Sequence, residues 1–313
     1  MATAFLFPGQ GSQTVGMGKA LAEASPKARE IFERADAALG EELSTLCFEG
    51  PEEALKLTAN TQPAILVTSV AAHAVFMERY GKAPAFFAGH SLGEWSALVA
   101  AGAIALEDAV RAVRLRGTFM QEAVPAGQGA MAAILGLEPE KIRQACEEAA
   151  QGEVVSPANY NSPEQTVIAG HAAAVERAVE ACKALGAKRA VPLPVSAPFH
   201  CALMEPVKPR LSGVLAEIEI RAPSAPVVTN VEAAPNADPS RVAQLLVEQV
   251  VAPVRWVECV QAMVAAGVTH MVELGPGKVL SGLVRRIAKD VVVANVEDPA
   301  SLEKTLEVLA GSA

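Results

Sequence analysis

The sequence predicts an α/β fold with a mainly parallel sheet, interrupted by a small inserted unit of β-α-β-β-α-β order. Two observations carry the main fold. Short β-rich runs alternate with longer alanine-rich runs of helical character along most of the 313 residues. Hydrophobic residues make up 51% and charged residues 19%, enough apolar mass for one large core. A third observation carries the insert: strand-like runs follow each other directly there, between the Pro/Gly-bearing segments Val124-Pro125-Ala126-Gly127 and Pro192-Leu193-Pro194, which read as hinges.

Residues 5–7 read as the first strand, followed by a Gly-rich turn, a helix near 18–24 and a second helix over 25–39. Residues 66–77 form an apolar helical run that includes His73. Residues 86–89 read as a buried strand entering a helix at Leu92. The apolar run 95–106 reads as a buried helix, too short to span a bilayer. A helix over about 107–122 leads to the insert. There, strands at 130–135, 154–159, 165–169 and 187–191 and helices at 139–150 and 172–185 give the ferredoxin-like order. Strands at 227–230, 270–274 and 291–296 and a helix at 257–266 complete the main sheet and its cover. The expected division is a large unit of residues 1–124 and 196–313 and a small unit of residues 125–195.

A net charge of −9 supplies no overall basic field, which argues against non-specific nucleic-acid binding. The five cysteines are odd in number and widely spaced, with no C-x-x-C, so neither a disulfide framework nor a zinc site is expected. A reducing cytoplasm suits them. The start Met1-Ala2-Thr3-Ala4-Phe5-Leu6-Phe7 lacks the basic region and long apolar stretch of a secretion signal. The expectation is a soluble protein with no membrane partner.

Gly89-His90-Ser91-Leu92-Gly93 matches G-x-S-x-G between a buried strand and an alanine-rich helix. That setting is what a nucleophile elbow needs: a sharp turn projects the Ser91 hydroxyl, and small neighbours avoid collision. The Leu92 N–H, at the helix start, is then placed for an oxyanion. Of the five histidines, His200 lies in the irregular loop Ser196-Ala197-Pro198-Phe199-His200-Cys201 and is the favoured base. His73, His171 and His270 read as structural, and His90 as aimed away from the nucleophile. Gly9-Gln10-Gly11-Ser12-Gln13 fails both G-x-G-x-x-G and the Walker A spacing. It reads either as a turn approaching a substrate carbonyl, with Gln10 a second oxyanion contributor, or as an ordinary βα turn. Arg116 has Ala109, Ala112, Val113, Phe119 and Met120 as its helical neighbours, which puts it on an apolar face. A buried arginine needs a partner: a substrate carboxylate, or an acid from another segment.

These pieces, together with Thr61-Gln62-Pro63-Ala64, Ala158-Asn159-Tyr160-Asn161, Gln249-Val250 and Glu273-Leu274-Gly275-Pro276-Gly277, resemble the malonyl-CoA:acyl carrier protein transacylases from end to end. The resemblance implies a hydrolase-like α/β core with a ferredoxin-like subdomain. It implies Ser91 as the acyl-carrying nucleophile, His200 as base and then acid, and Gln10 with the Leu92 N–H as oxyanion hole. It further implies Arg116 as the grip on the malonyl carboxylate and the Gln249 carbonyl as the support of His200. Phe199, Asn159 and Met120 join Arg116 and Gln249 in the expected substrate-binding set. Malonyl-CoA and acyl carrier protein are the implied partners, with no metal or bound cofactor. A serine esterase or thioesterase sharing the elbow is the rival, and a non-catalytic scaffold the more distant one. Lys188, Arg189, Arg285 and Arg286 are the basic residues expected to meet an acidic carrier.

Overall fold

A computed structural model describes residues 2–195 and 197–311. Ser196, where the predicted large unit resumes and the His200 loop begins, lies outside the described residues.

The strands in chain order are β1 (Thr3–Phe7), β2 (Phe86–Gly89), β3 (Gly129–Leu135), β4 (Val155–Ser162), β5 (Gln165–His171) and β6 (Arg189–Pro192), then β7 (Val227–Val228), β8 (Pro235–Asn236), β9 (His270–Leu274) and β10 (Val292–Val296). The larger sheet has the order β10-β9-β1-β2-β7-β8. Its first five strands are parallel, and β8 turns back antiparallel to β7. All five residues of β1 are buried, as befits a central strand covered on both faces. The pleat divides them: Phe5 and Phe7 join the core beneath the helix Thr58–Tyr80, while Ala4 and Leu6 join the core beneath the helices Trp256–Ala265 and Val279–Ile287.

The smaller sheet has the order β4-β5-β3-β6 and is antiparallel throughout, the ferredoxin-like arrangement. The helices Pro139–Ala150 and Ala172–Ala184 pack on it around Ile134, Ile142, Cys146, Ile168 and Cys182. Among the described residues no strand is shared between the sheets. One short parallel bridge links β4 to the segment before the helix Trp256–Ala265: Val254 donates to the Ala158 carbonyl and Tyr160 to the Val254 carbonyl, both at 2.9 Å.

Some boundaries differ from expectation. The apolar run 95–106 is not one helix: the helix Leu92–Ala100 ends, Gly102 takes φ 75°, and the helix Leu106–Glu122 begins. The run stays apolar through the turn, where Gly102 and Ala105 are exposed, so its composition does not mark the break between the two helices. The strand expected over 227–230 stops at Val228, because Thr229 and Asn230 leave the ladder. Pro192, expected in a hinge, closes β6 opposite Ala132, at an edge where its missing N–H costs no ladder bond.

The register fixes where chemistry can sit. Phe7 pairs with Gly89, and Leu6 with Glu273, so the parallel strands β1, β2 and β9 end together. The loops after them, carrying Gly9, Ser91 and Gly275, therefore share the carboxyl edge, where α/β sheets place their ligands.

Candidate active site

The turn after β2 is drawn tight against β1. A Cβ on Gly89 would lie 2.0 Å from the Gly93 carbonyl carbon, and one on Gly93 would lie 2.0 Å from the Phe7 oxygen. Both positions therefore require glycine. Between them Ser91 adopts φ 50° and ψ −103°, a strained conformation for a side-chain-bearing residue. Asn230 holds it there: the Ser91 N–H donates to Asn230 Oδ1 at 2.7 Å, and Asn230 Nδ2 donates to the Gly89 carbonyl at 2.7 Å.

Ser91 Oγ lies 2.8 Å from His200 Nε2. His200 Nδ1 lies 2.8 Å from the Gln249 carbonyl oxygen, which can only accept. The proton therefore belongs on Nδ1, leaving the Nε2 lone pair facing the serine hydroxyl. No carboxylate takes the orienting position. His200 is 4% exposed. Burial, and after it the Arg116 charge, push its pKa down to about 3, while the Gln249 carbonyl opposes.

Arg116 comes from the helix Leu106–Glu122 and is 1% exposed. Its Nη1 donates to Gln62 Oε1 at 2.7 Å, and its Nη2 to Gln249 Oε1 at 3.0 Å and Ser91 Oγ at 3.1 Å. All three acceptors are neutral, and among the described residues Nε has no partner. Burial lowers the guanidinium pKa to about 10, against the pull of Glu94, so it stays charged at neutral pH. The acid left open by the sequence is Glu94, which reaches Arg116 through the Gln249 amide rather than by direct contact.

These groups open into a cavity whose walls come from both sheets' surroundings. Gln10, Gln62, His90, Ser91, Leu92, Arg116, Met120, Phe199 and His200 line one side; Met131, Asn159 and Leu193 close it from the smaller sheet. Leu92 is the first residue of its helix, so its N–H has no partner within the helix. Gln10 Nε2 donates to Thr58 Oγ1 at 3.2 Å beside the cavity. Gln249 departs from its expected place in the substrate-binding set: it is 1% exposed and lies behind Arg116 and His200, off the cavity wall. His90 directs its ring to Asn161, bonding Oδ1 at 2.8 Å, and also forms part of the wall. The other histidines sit in structural surroundings: His73 among Phe5, Phe7 and Phe87, His171 accepting the Val154 N–H, and His270 against Thr269. A second depression, lined by Ile31, Val99 and Arg221 among others, shares none of the cavity's residues.

Comparison with known proteins decides the family. The acyl transferase domain family matches residues 4–304. The malonyl CoA-acyl carrier protein transacylase of Escherichia coli K12 is 54% identical over 305 residues, covering 97% of this chain and 99% of its own. The chain belongs to the malonyl CoA-acyl carrier protein transacylase family. Solved members of this transacylase family superpose on it closely. An acyl carrier protein S-malonyltransferase from Vibrio cholerae gives a TM-score of 0.95 at 52% identity, over 97% of this chain and 100% of that one. A malonyl-transacylase in complex with a type II PKS acyl-carrier protein gives 0.96 at 51% identity, over 98% and 99%.

Within this transacylase fold, sequence reasoning assigned no role to Gln62, Glu94, Asn230 and Met131. Gln62 and Glu94 stand inside the family motifs, where their polarity in apolar helices was the available signal. Asn230 had no local signal, because it meets Ser91 across 139 residues of chain. The Glu273-Leu274-Gly275-Pro276-Gly277 motif has a structural explanation. Glu273 is fully buried and accepts the Leu280 and Ser281 N–H groups at 3.0 and 2.7 Å, capping the helix Val279–Ile287. Among the described residues no group of three or more His, Cys, Asp or Glu gathers as a metal site, and no helix is long and apolar enough to cross a membrane.

Proposed function

We propose that the protein moves a malonyl group from coenzyme A to the phosphopantetheine thiol of acyl carrier protein, through an ester on Ser91. The observation that carries this reading is a buried guanidinium with no carboxylate partner among the described residues, 3.1 Å from the nucleophilic oxygen. Malonate supplies the missing carboxylate, and a forked, charge-assisted pair can form on Arg116. The names of the relatives support the same substrates, and the solved complex with a carrier protein supports the acceptor.

His200 Nε2 takes the Ser91 proton as Oγ attacks the thioester carbonyl. The Leu92 N–H and Gln10 receive the developing oxyanion. The imidazolium returns its proton to the departing coenzyme A sulfur, and the carrier thiol reverses the sequence on the acyl-enzyme. Substrate binding helps the base. The malonyl carboxylate offsets the Arg116 charge, one of the two main causes depressing the His200 pKa. Asn159, Met120 and Phe199 shape the cavity around the acyl chain, and Gln249 supports the base and the arginine from behind. The route uses no metal and no bound cofactor.

The division into residues 1–124 with 196–313, and 125–195, belongs to this reading. Two separate sheets support it, with the cavity between them. A cytoplasmic location is supported by five cysteines that are all free and buried. The decisive experiment treats the protein with malonyl-CoA and measures intact mass. One malonyl adduct on Ser91, discharged on adding holo carrier protein, is expected. Discharge to free malonate alone, unaffected by carrier, would instead mark a hydrolase.

A further inference from the structure

Glu94 stands three residues after Ser91, in the first turn of the helix Leu92–Ala100, and is 2% exposed. An acid at this position ordinarily reaches back to the N–H of the capping residue. Here that N–H is already given to Asn230 Oδ1 at 2.7 Å. Glu94 turns elsewhere: its Oε2 accepts the Asn230 backbone N–H at 2.9 Å and the Gln249 Nε2 at 2.8 Å. Glu94 is not part of the cavity wall. A carboxylate buried this deeply is costly and needs a return.

The Gln249 amide shows what the return is. An amide has one accepting end and one donating end, and nothing in its shape chooses between its two orientations. Its Oε1 faces Arg116, which can only donate, and its Nε2 faces Glu94 and the Ser91 carbonyl, the latter at 3.1 Å. A flip would set NH₂ against guanidinium and oxygen against carboxylate in the same step. The Gln249 backbone carbonyl meanwhile holds His200. One glutamine thus touches nucleophile backbone, base and arginine, and the acid behind it sets its polarity.

We propose that Glu94 is a positioning residue for malonyl selectivity: it locks the Gln249 amide with its oxygen toward Arg116, so the guanidinium is aimed at the cavity before substrate arrives. This rests on the malonyl-transfer reading above. Asn230, whose backbone N–H shares the same Glu94 oxygen, is the second arm of the lock.

The test compares Glu94→Gln, which keeps an accepting oxygen at the same reach, with Glu94→Met, which keeps the length and loses the acceptor. The readout is the ratio of kcat/KM for malonyl-CoA over acetyl-CoA, with thermal melting of each variant. Glu94→Gln should hold the ratio within roughly threefold of wild type. Glu94→Met should lower it by at least about tenfold, the scale of one lost charged hydrogen bond. Acetyl transfer, which offers Arg116 no carboxylate to grip, should fall less. If Glu94→Met is unfolded at the assay temperature, Glu94→Asp replaces it, with the carboxylate one methylene short and the same fall expected. A folded Met or Asp variant with an unchanged ratio overturns the proposal, as does a Gln variant that loses as much as the Met variant. The wild-type arm separates the two levels. No malonyl preference in wild type removes the transfer reading itself, whereas a preference that survives in the variants removes only the role of Glu94.

Discussion

His200 sits where an imidazole stays neutral far below its ordinary range, because burial and the Arg116 charge both oppose protonation. A depressed pKa keeps the base form as pH falls. In Glu94→Gln, which removes a buried carboxyl whose pKa burial raises to about 7, kcat/KM for malonyl transfer should therefore stay nearly flat from pH 8 to 5. A histidine at the usual pKa of about 6.5 would lose roughly thirtyfold by pH 5. A stopped-flow pH profile of that variant that still bends near 6.5 would remove the dry-site explanation. Replacing His200 with Ala should cost roughly 10²–10⁴-fold in acylation while leaving the Ser91 elbow intact, and single-turnover rates measure this. Arg116 makes a sharper case. Its guanidinium bonds only neutral acceptors, so Arg116→Ala should lower malonyl transfer by at least about tenfold. Acetyl transfer, lacking the carboxylate, should fall much less. Equal losses for both thioesters would make Arg116 a structural residue.

The elbow is an element-scale device, and its tolerance is set by backbone contact rather than chemistry. Gly93 belongs to the first turn of its helix, yet its missing Cβ is what lets that turn lie on the Phe7 carbonyl. Gly93→Ala should destabilise the fold by about 1–3 kcal/mol or more, since backbone, not a flexible side chain, must yield. Ser91 acylation should fall with it. Gly213 is the control, inside the helix Val207–Ala216 with nothing within 4 Å of where an alanine methyl would stand. Gly213→Ala should be neutral or stabilising by up to about 1 kcal/mol, because alanine is the better helix former. Thermal melts of the pair read this difference. A similar loss from both would mean helix propensity, not close approach, explains the glycine at 93.

At the scale of the whole molecule, the four basic residues expected to meet the carrier do not share one edge. Arg285 and Arg286 end a helix that starts beside the carboxyl edge and runs back along the sheet. Arg285 Nη2 reaches the carbonyl of Val293, which pairs with Met271 near the start of β9, whereas Ser91 follows the strand ends. Lys188 and Arg189 are exposed at the start of β6, the strand that leads to the cavity-lining Leu193. Charge reversal at Lys188 and Arg189 should therefore raise the KM for carrier protein several-fold and weaken its salt dependence. The same reversal at Arg285 and Arg286 should do little. Ser91 acylation by malonyl-CoA, followed by mass, distinguishes a carrier defect from a general one.

The sequence by itself determined whatever rests on local pattern: the order of strands and helices in the smaller sheet, the strand-turn-helix setting of Ser91, and the apolar helical face around Arg116. Each follows from periodicity or turn sterics within a few residues. It separated His200 from four other histidines only modestly until the family resemblance was added, because a loop's position is not fixed by its own residues. The run 95–106 misled for a related reason: its exposed turn residues Gly102 and Ala105 are as apolar as the buried helix before them, so no change of pattern shows where the helix stops. Tertiary structure alone decided that Asn230 holds the Ser91 N–H, that Glu94 accepts from the Gln249 amide, and that Arg116 meets neutral oxygens. Those contacts join side chains from segments as much as 155 residues apart. Their geometry exists only after the two faces of the parallel sheet are covered and its strand ends are brought level.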